Sequence, residues 1–239
     1  MTSRLLEDHG LPHLFTTRHF PGVVKPTEAR PPFAAEAAAL LAPRGLGAQP
    51  AFAKQVHGAV VLRAERAGLA GHGDALATAR RGLPLAISTA DCLPIVLYDA
   101  RAGRLAAVHA GWRGTVQSVA RAAVADLVGA GSAAGDLVVA IGPSIGPCCY
   151  EVDAPVTERF EAAFPGAWQA WMTPKGPGKW MLDLWQANLD QLTGAGVRPD
   201  RVDSLGLCTG CRPDLLFSYR RERGAGRLVT VAALPERAC

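Results

Sequence analysis

Apolar residues recur in short runs bounded by turn residues, a pattern that predicts buried strands. The clearest are Leu85-Ala-Ile87, residues 93–97, Leu105-Ala-Ala-Val108, residues 136–142 and residues 227–233. Residues 13–18 and 201–205 read as shorter strands, and residues 51–58 and 59–63 as two extended pieces joined at Gly58. The period changes over residues 115–128, where Val116, Val119, Ala120, Ala123, Val124, Leu127 and Val128 form one helical stripe. Thr115 is the expected N-cap, and Gly129 with Gly131 the stop. Further helices are predicted over residues 32–41, 153–164 and 183–193, the last with Asp183 and Gln186 in capping-box spacing. Between the last two, Trp168, Trp171 and Trp180 flank a Pro- and Gly-rich turn, an irregular aromatic segment or a pocket wall. Strands interleaved with helices, with no repeat, linker or composition shift, predict a single α/β domain over residues 1–239. The expected architecture is a layered sandwich, a mixed β-sheet with flanking helices.

Composition narrows the partners. A hydrophobic fraction of 49% in 239 residues supports a large core. A net charge of +4 argues only weakly for an anionic partner. Arg220, Arg221, Arg223 and Arg227, with Phe217 and Tyr219 nearby, form a basic cluster that reads as a solvated turn between strands, so no nucleic-acid partner is expected. No apolar stretch approaches the ~20 residues of a membrane span, nor does an apolar segment follow the N-terminus. A soluble, cytoplasmic protein is expected, and no feature specifies an oligomeric state.

Cysteine spacing bears on chemistry. The cysteines at 92, 148, 149, 208, 211 and 239 show no disulfide framework and are expected to be reduced. Cys208-Thr-Gly-Cys211 is a C-x-x-C, but a structural zinc needs a second ligand pair, and adjacent Cys148-Cys149 is not another such motif. No separate metal is expected there.

Cys92 stands between two apolar runs, His109 closes another, and His57 lies at the glycine junction. Cys92 and His109 alone are equally consistent with a buried hydrophobe and a satisfied core histidine. The third residue tips the balance, because two imidazoles and a thiolate suit zinc, and three protein ligands leave a position open for catalysis. A Cys92 nucleophile with a His base uses the same residue types without a metal. Asp74 and Asp91 lie beside the same layer and are candidate proton donors. Arg113, next to a helix start, and Arg18, at a strand end, are candidate anion holders, with the loop backbone over residues 142–146 as the alternative. His72, flanked by glycines, reads as a loop residue outside the site.

Five segments together resemble the YfiH-like family, also named for a laccase or multicopper polyphenol oxidase activity. They are Lys54-Gln-Val-His-Gly58, Thr89-Ala-Asp-Cys-Leu-Pro94, Val108-His-Ala-Gly-Trp-Arg-Gly114, Ile141-Gly-Pro-Ser-Ile-Gly-Pro-Cys-Cys-Tyr-Glu-Val152 and Phe217-Ser-Tyr-Arg-Arg221. The resemblance runs over residues 14–234. It implies that His57, Cys92 and His109 hold zinc. It also implies phosphorolysis of adenosine, inosine, guanosine and methylthioadenosine, with adenosine deamination at the same site. The implied fold is an α/β sandwich resembling the catalytic domain of cytotoxic necrotizing factor. The chain departs mildly at His19-Phe-Pro-Gly-Val23, where the family usually has a Gly-Gly-Val-Ser-like turn after the Thr-Thr-Arg18 segment. Copper is the less favoured metal, because multicopper oxidases need many His ligands over several centres and the chain has six His in all.

Overall fold

Strands Leu93–Asp99 and Arg104–Ala110 are apolar at nearly every position because both their faces are covered. On one face Leu93, Ile95, Leu97, Val108 and Ala110 pack against Val119, Ala123, Leu127, Leu184 and Leu192 of two helices. On the other, Val96, Tyr98, Leu105 and Ala107 meet Phe15, Ala51, Leu85 and Ile87 of a second sheet. Each such aliphatic side chain contributes about 1.5–3 kcal/mol by leaving water.

The computed structural model describes residues 1–224 and 226–236; Cys239 lies outside the described residues. The first sheet has six strands in the order Val202–Ser204, Val138–Ile141, Leu93–Asp99, Arg104–Ala110, Ala75–Thr78 and Val61–Arg63. The second has five, in the order His13–Phe15, Leu228–Ala233, Pro84–Thr89, Ala51–Lys54 and Gly68–His72. Both mix parallel and antiparallel pairs. Helices Val119–Gly129 and Leu184–Gly194 cover the outer face of the first sheet. Phe33, Leu41 and Leu46 cover the outer face of the second, against Leu14, Ala86 and Val231. The result is a mixed α/β sandwich.

Register places the chemistry at one end of both sheets. Leu93 pairs with Ala110, Ala75 with Val108, Ile95 with Ile141 and Leu228 with Thr89. The segments leaving these positions therefore meet in one loop layer: residues 55–58, 90–92, 109–113, 142–150 and 217–227.

Tertiary contacts overrule several local expectations. The helix predicted over residues 115–128 is two, Trp112–Val116 and Val119–Gly129, separated at Ser118, which has a left-handed φ of 61°. Gly111, not Thr115, occupies the N-cap position. Thr115 is buried inside the first helix, its hydroxyl accepting from Asn188 Nδ2 at 3.0 Å and its carbonyl from Gln191 Nε2 at 2.8 Å. The helix predicted over residues 32–41 starts later and is mixed: an α-helical turn, Ala38–Leu41, lies between the 3-10 segments Ala35–Ala37 and Ala42–Arg44. Asp183 caps its helix by accepting from Gln186 N, but Gln186 spends its own amide on Asp190, so the box is half formed. The tryptophan segment is regular: Met172–Gly176 and Lys179–Leu182 form a hairpin joined by Glu151–Asp153, and Trp168 and Trp171 pack on the helical core rather than lining a pocket. His72 ends a strand, exposed, 3.6 Å from Glu28.

Candidate functional site

The turn after strand Ala51–Lys54 is built around a carboxylate. Asp74, fully buried, accepts backbone N–H bonds from Val56, His57 and Gly58 at 3.2, 2.9 and 2.7 Å. These bonds hold His57 at a left-handed φ of 61°, a conformation a non-glycine residue adopts only when its surroundings compel it. Asp74 Oδ1 also lies 2.8 Å from His109 Nδ1. One carboxylate thus positions both histidines and fixes the His109 ring with Nε2 free for the site.

Cys92 follows Asp91, a second residue at positive φ (87°). Asp91 accepts from Thr209 Oγ1 and from Arg220 N, both at 2.6 Å, which locks the corner between strands Pro84–Thr89 and Leu93–Asp99. The three ligand atoms of His57, Cys92 and His109 all lie within 4.8 Å of one another. Gly111 makes room for them: a Cβ there would stand 2.8 Å from Cys92 Sγ and 3.2 Å from His57 Cδ2.

Electrostatics couple the cluster. Burial by itself pushes the Cys92 thiol up, but the charge and hydrogen bond of His109, together with His57, bring it down to about 6. Burial works against a charged His109, yet the Cys92 thiolate and Asp74 raise it to about 9. Asp74 is held below the usual carboxylate range: its burial is outweighed by His109 and the backbone N–H groups. Without a metal this is a thiolate–imidazolium pair.

The cluster opens onto a cavity of about 840 Å³. Trp112, Tyr150 and Tyr219 supply aromatic surface, and Arg113, Arg220 and Arg227 supply positive charge. Arg113 stacks on Trp112 at 4.4 Å and Arg220 on Tyr150 at 5.1 Å. Burial and the Cys92 thiolate raise Tyr150 well above the ordinary phenol range, so it keeps its O–H.

Of the residues expected from sequence, Arg113, Asp91, Cys92, His57 and His109 line this cavity. Arg18 does not. Its guanidinium pairs with Glu222 at 3.1 and 3.2 Å, donates to Pro213 O and stacks on Phe217, so it braces the loop behind Tyr219 rather than facing substrate. Asp74 lies behind His109 with its oxygens already engaged, and both Asp91 oxygens are taken. Neither carboxylate is placed as a proton donor to a leaving group. Tyr150, Thr209, Arg220 and Arg227 went unread as site residues. The arginines looked like a solvated turn, and only the pairing of Leu228 with Thr89 carries them to the cavity.

The donor set fits zinc: two imidazoles and a thiolate, one imidazole backed by a buried carboxylate. A multicopper arrangement fits poorly. His9, His13 and His19 are bonded to Leu5 O, Leu11 O and Asp214 O. The only other group of potential ligands among the described residues is all cysteine: Cys148, Cys149, Cys208 and Cys211.

Residues 33–235 match the family described as multi-copper polyphenol oxidoreductase laccase. The chain belongs to this family. Within the laccase-like family it is 38% identical over 240 residues to a Deinococcus radiodurans protein named purine nucleoside phosphorylase, covering 95% of this chain and 90% of that one. It is also 38% identical over 148 residues to a protein of an unknown prokaryotic organism named adenosine deaminase RL5, covering 62% of this chain and 56% of that one. Its fold matches the crystal structure of YlmD from Geobacillus stearothermophilus with a TM-score of 0.79 and 30% identity, over 94% of this chain and 93% of that one. No helix among the described residues is long and apolar enough to cross a membrane.

Proposed function

We propose that this laccase-like protein is a zinc-dependent purine nucleoside phosphorylase, taking adenosine, inosine, guanosine and methylthioadenosine, with adenosine deamination at the same site. The observation that carries the reading is the His57–Cys92–His109 cluster opening onto a cavity rimmed by aromatic rings and guanidinium groups. The similar proteins named purine nucleoside phosphorylase and adenosine deaminase support it. Bound zinc would supply Lewis-acid stabilisation of negative charge on an oxygen in the cavity.

The chain's own residues do the rest. Trp112, Tyr150 and Tyr219 offer faces against which a purine stacks. Arg113 has its face on Trp112 and its N–H edges left for phosphate, since guanidinium forks match phosphate oxygens two at a time. A phosphate oxygen bonds to the ribose anomeric carbon as the bond from that carbon to the purine nitrogen breaks. The base leaves with the electron pair and takes the proton that the attacking hydrogen phosphate gives up, giving free purine and ribose 1-phosphate. Tyr150, kept as a phenol, donates a hydrogen bond to the departing base. In deamination, water adds at the amino-bearing purine carbon and ammonia leaves. Asp74 and Asp91 have their oxygens engaged within the protein; they position His57, His109 and the Cys92 corner.

The test is to follow adenosine chromatographically with zinc-loaded protein. Adenine release accelerated by phosphate and lost in His109→Ala is expected. Release no faster with phosphate than without it overturns phosphorolysis, and absence of inosine as well removes the nucleoside reading. A second reading, a metal-free hydrolase with the Cys92 thiolate as nucleophile and His109 as its imidazolium partner, draws on the lowered Cys92 thiol and the Asp74–His109 bond. Activity that survives complete chelation would favour it.

A further inference from the structure

Adjacent cysteines and a C-x-x-C do not look like a ligand set in sequence, but the fold brings their sulfurs together. The loop at residues 142–150 and the loop at residues 205–216 run side by side, joined by a bridge between Ser144 and Cys208 and by the bonds Ser144 N to Leu207 O and Thr209 N to Ser144 O. The Sγ atoms of Cys148, Cys149, Cys208 and Cys211 all fall within 4.8 Å of one another. Cys211 Sγ is 3.4 Å from Cys148 Sγ and 3.5 Å from Cys149 Sγ.

We propose that Cys148, Cys149, Cys208 and Cys211 form a second metal site, a closed tetrahedral zinc site that is structural and separate from the His57–Cys92–His109 cluster. A tetrahedron with Zn–S bonds of ~2.3 Å has edges of roughly 3.8 Å, close to these separations. A disulfide explains the arrangement less well, because Cys211 is nearly equidistant from two sulfurs and a single S–S bond would use one and strand the other. Gly146 N donates to Cys208 Sγ at 3.2 Å, the kind of N–H···S bond that supports a metal-bound thiolate. Gly210 clears the space: a Cβ there would stand 2.8 Å from Cys149 Cβ and 2.9 Å from its Sγ. Four thiolates crowded together repel unless a cation neutralises them, and zinc binding would release their protons.

The site staples the loop that carries Tyr150 of the cavity wall to the loop whose Thr209 bonds Asp91. Tyr150 follows Cys149 directly, and Thr209, between Cys208 and Cys211, holds Asp91 beside Cys92. The zinc would therefore set the positions of Tyr150 and Asp91 without touching substrate, and the proposal stands whatever reaction the cavity performs.

The experiment uses full-length Cys92→Ala protein, in which the first cluster has lost its thiolate, after zinc reconstitution and removal of loosely held metal. Elemental analysis should find stoichiometric zinc, and X-ray absorption should find a sulfur-only shell at ~2.3 Å. Cys148→Ser with Cys211→Ser in the same background should abolish that zinc. Absence of tightly held zinc in the Cys92→Ala protein, a nitrogen or oxygen shell around it, or a disulfide among these four cysteines in freshly purified wild-type protein would each overturn the proposal. The absorption measurement needs only the Cys92→Ala chain, so failure of the serine variants to fold does not shield it.

Discussion

The two sulfur clusters sit in the same loop layer yet are built on opposite plans. His57, Cys92 and His109 mix nitrogen with sulfur, lean on a buried carboxylate and open onto a cavity. Cys148, Cys149, Cys208 and Cys211 are all sulfur, lean on a backbone N–H and show two of their four thiols at the surface. Three ligands with space beside them suit chemistry; four convergent ligands leave none. The more accessible cluster is thus the one with less room for a substrate. What surrounds the sulfurs, more than their exposure, separates a reactive site from a staple.

Asp74→Ala should break the contrast most strongly. It orphans three backbone N–H groups and His109 at once, and losing one partner of a buried charged network costs about 3–5 kcal/mol. Denaturant unfolding should show that loss. Chelator competition should show metal affinity at the first cluster down by about 10–100-fold with the four-cysteine zinc retained. Retention of full affinity at the first cluster would mean Asp74 is not its support.

Gly111→Ala and Gly210→Ala sharpen the comparison because each introduces a Cβ against a different cluster. Each should cost about 1–3 kcal/mol of stability. The first should deplete zinc from the His/Cys cluster alone and the second from the cysteine cluster alone. Metal analysis showing both sites emptied by either change would argue that the clusters form one unit.

Thr209→Val tests the link between them. It removes the hydroxyl that donates to Asp91, a bond to a charged group worth about 1.5–3 kcal/mol. Thermal unfolding should register it, and kcat should fall while both zincs stay; unchanged kcat would show that the staple does not reach the reacting centre.

The smallest effect separates two arginines. Arg113→Lys should raise the phosphate KM about tenfold, roughly 1.4 kcal/mol, because lysine lacks the planar fork. Arg18→Lys should leave that KM alone and lower stability by no more than ~1 kcal/mol through the Glu222 pair. Equal KM changes in the two variants would return Arg18 to the substrate site.

Much of the fold was legible because burial on both faces leaves a mark in sequence. Strands Pro84–Thr89, Leu93–Asp99, Arg104–Ala110 and Leu228–Ala233 appear as predominantly apolar runs, and the stripe from Val119 to Leu127 appears as a helix. The placement of Cys92 and His109 at strand ends followed from where those runs stop. The break at Ser118 did not, because it answers to Asn188 and Gln191 gripping Thr115 from another helix.

Residue identity and local period therefore determined which side chains have chemistry and which segments are strands. Only tertiary structure decided which of them meet. Arg18 and Arg113 are alike in sequence, but Glu222 claims one and the cavity receives the other. Cys148-Cys149 and the C-x-x-C become four convergent thiols only because the 142–150 loop lies beside the 205–216 loop. Periodicity reports which face of an element is buried, a local property of a repeating backbone. Convergence of residues distant in the chain depends on strand order and register, which one chain's local pattern does not encode.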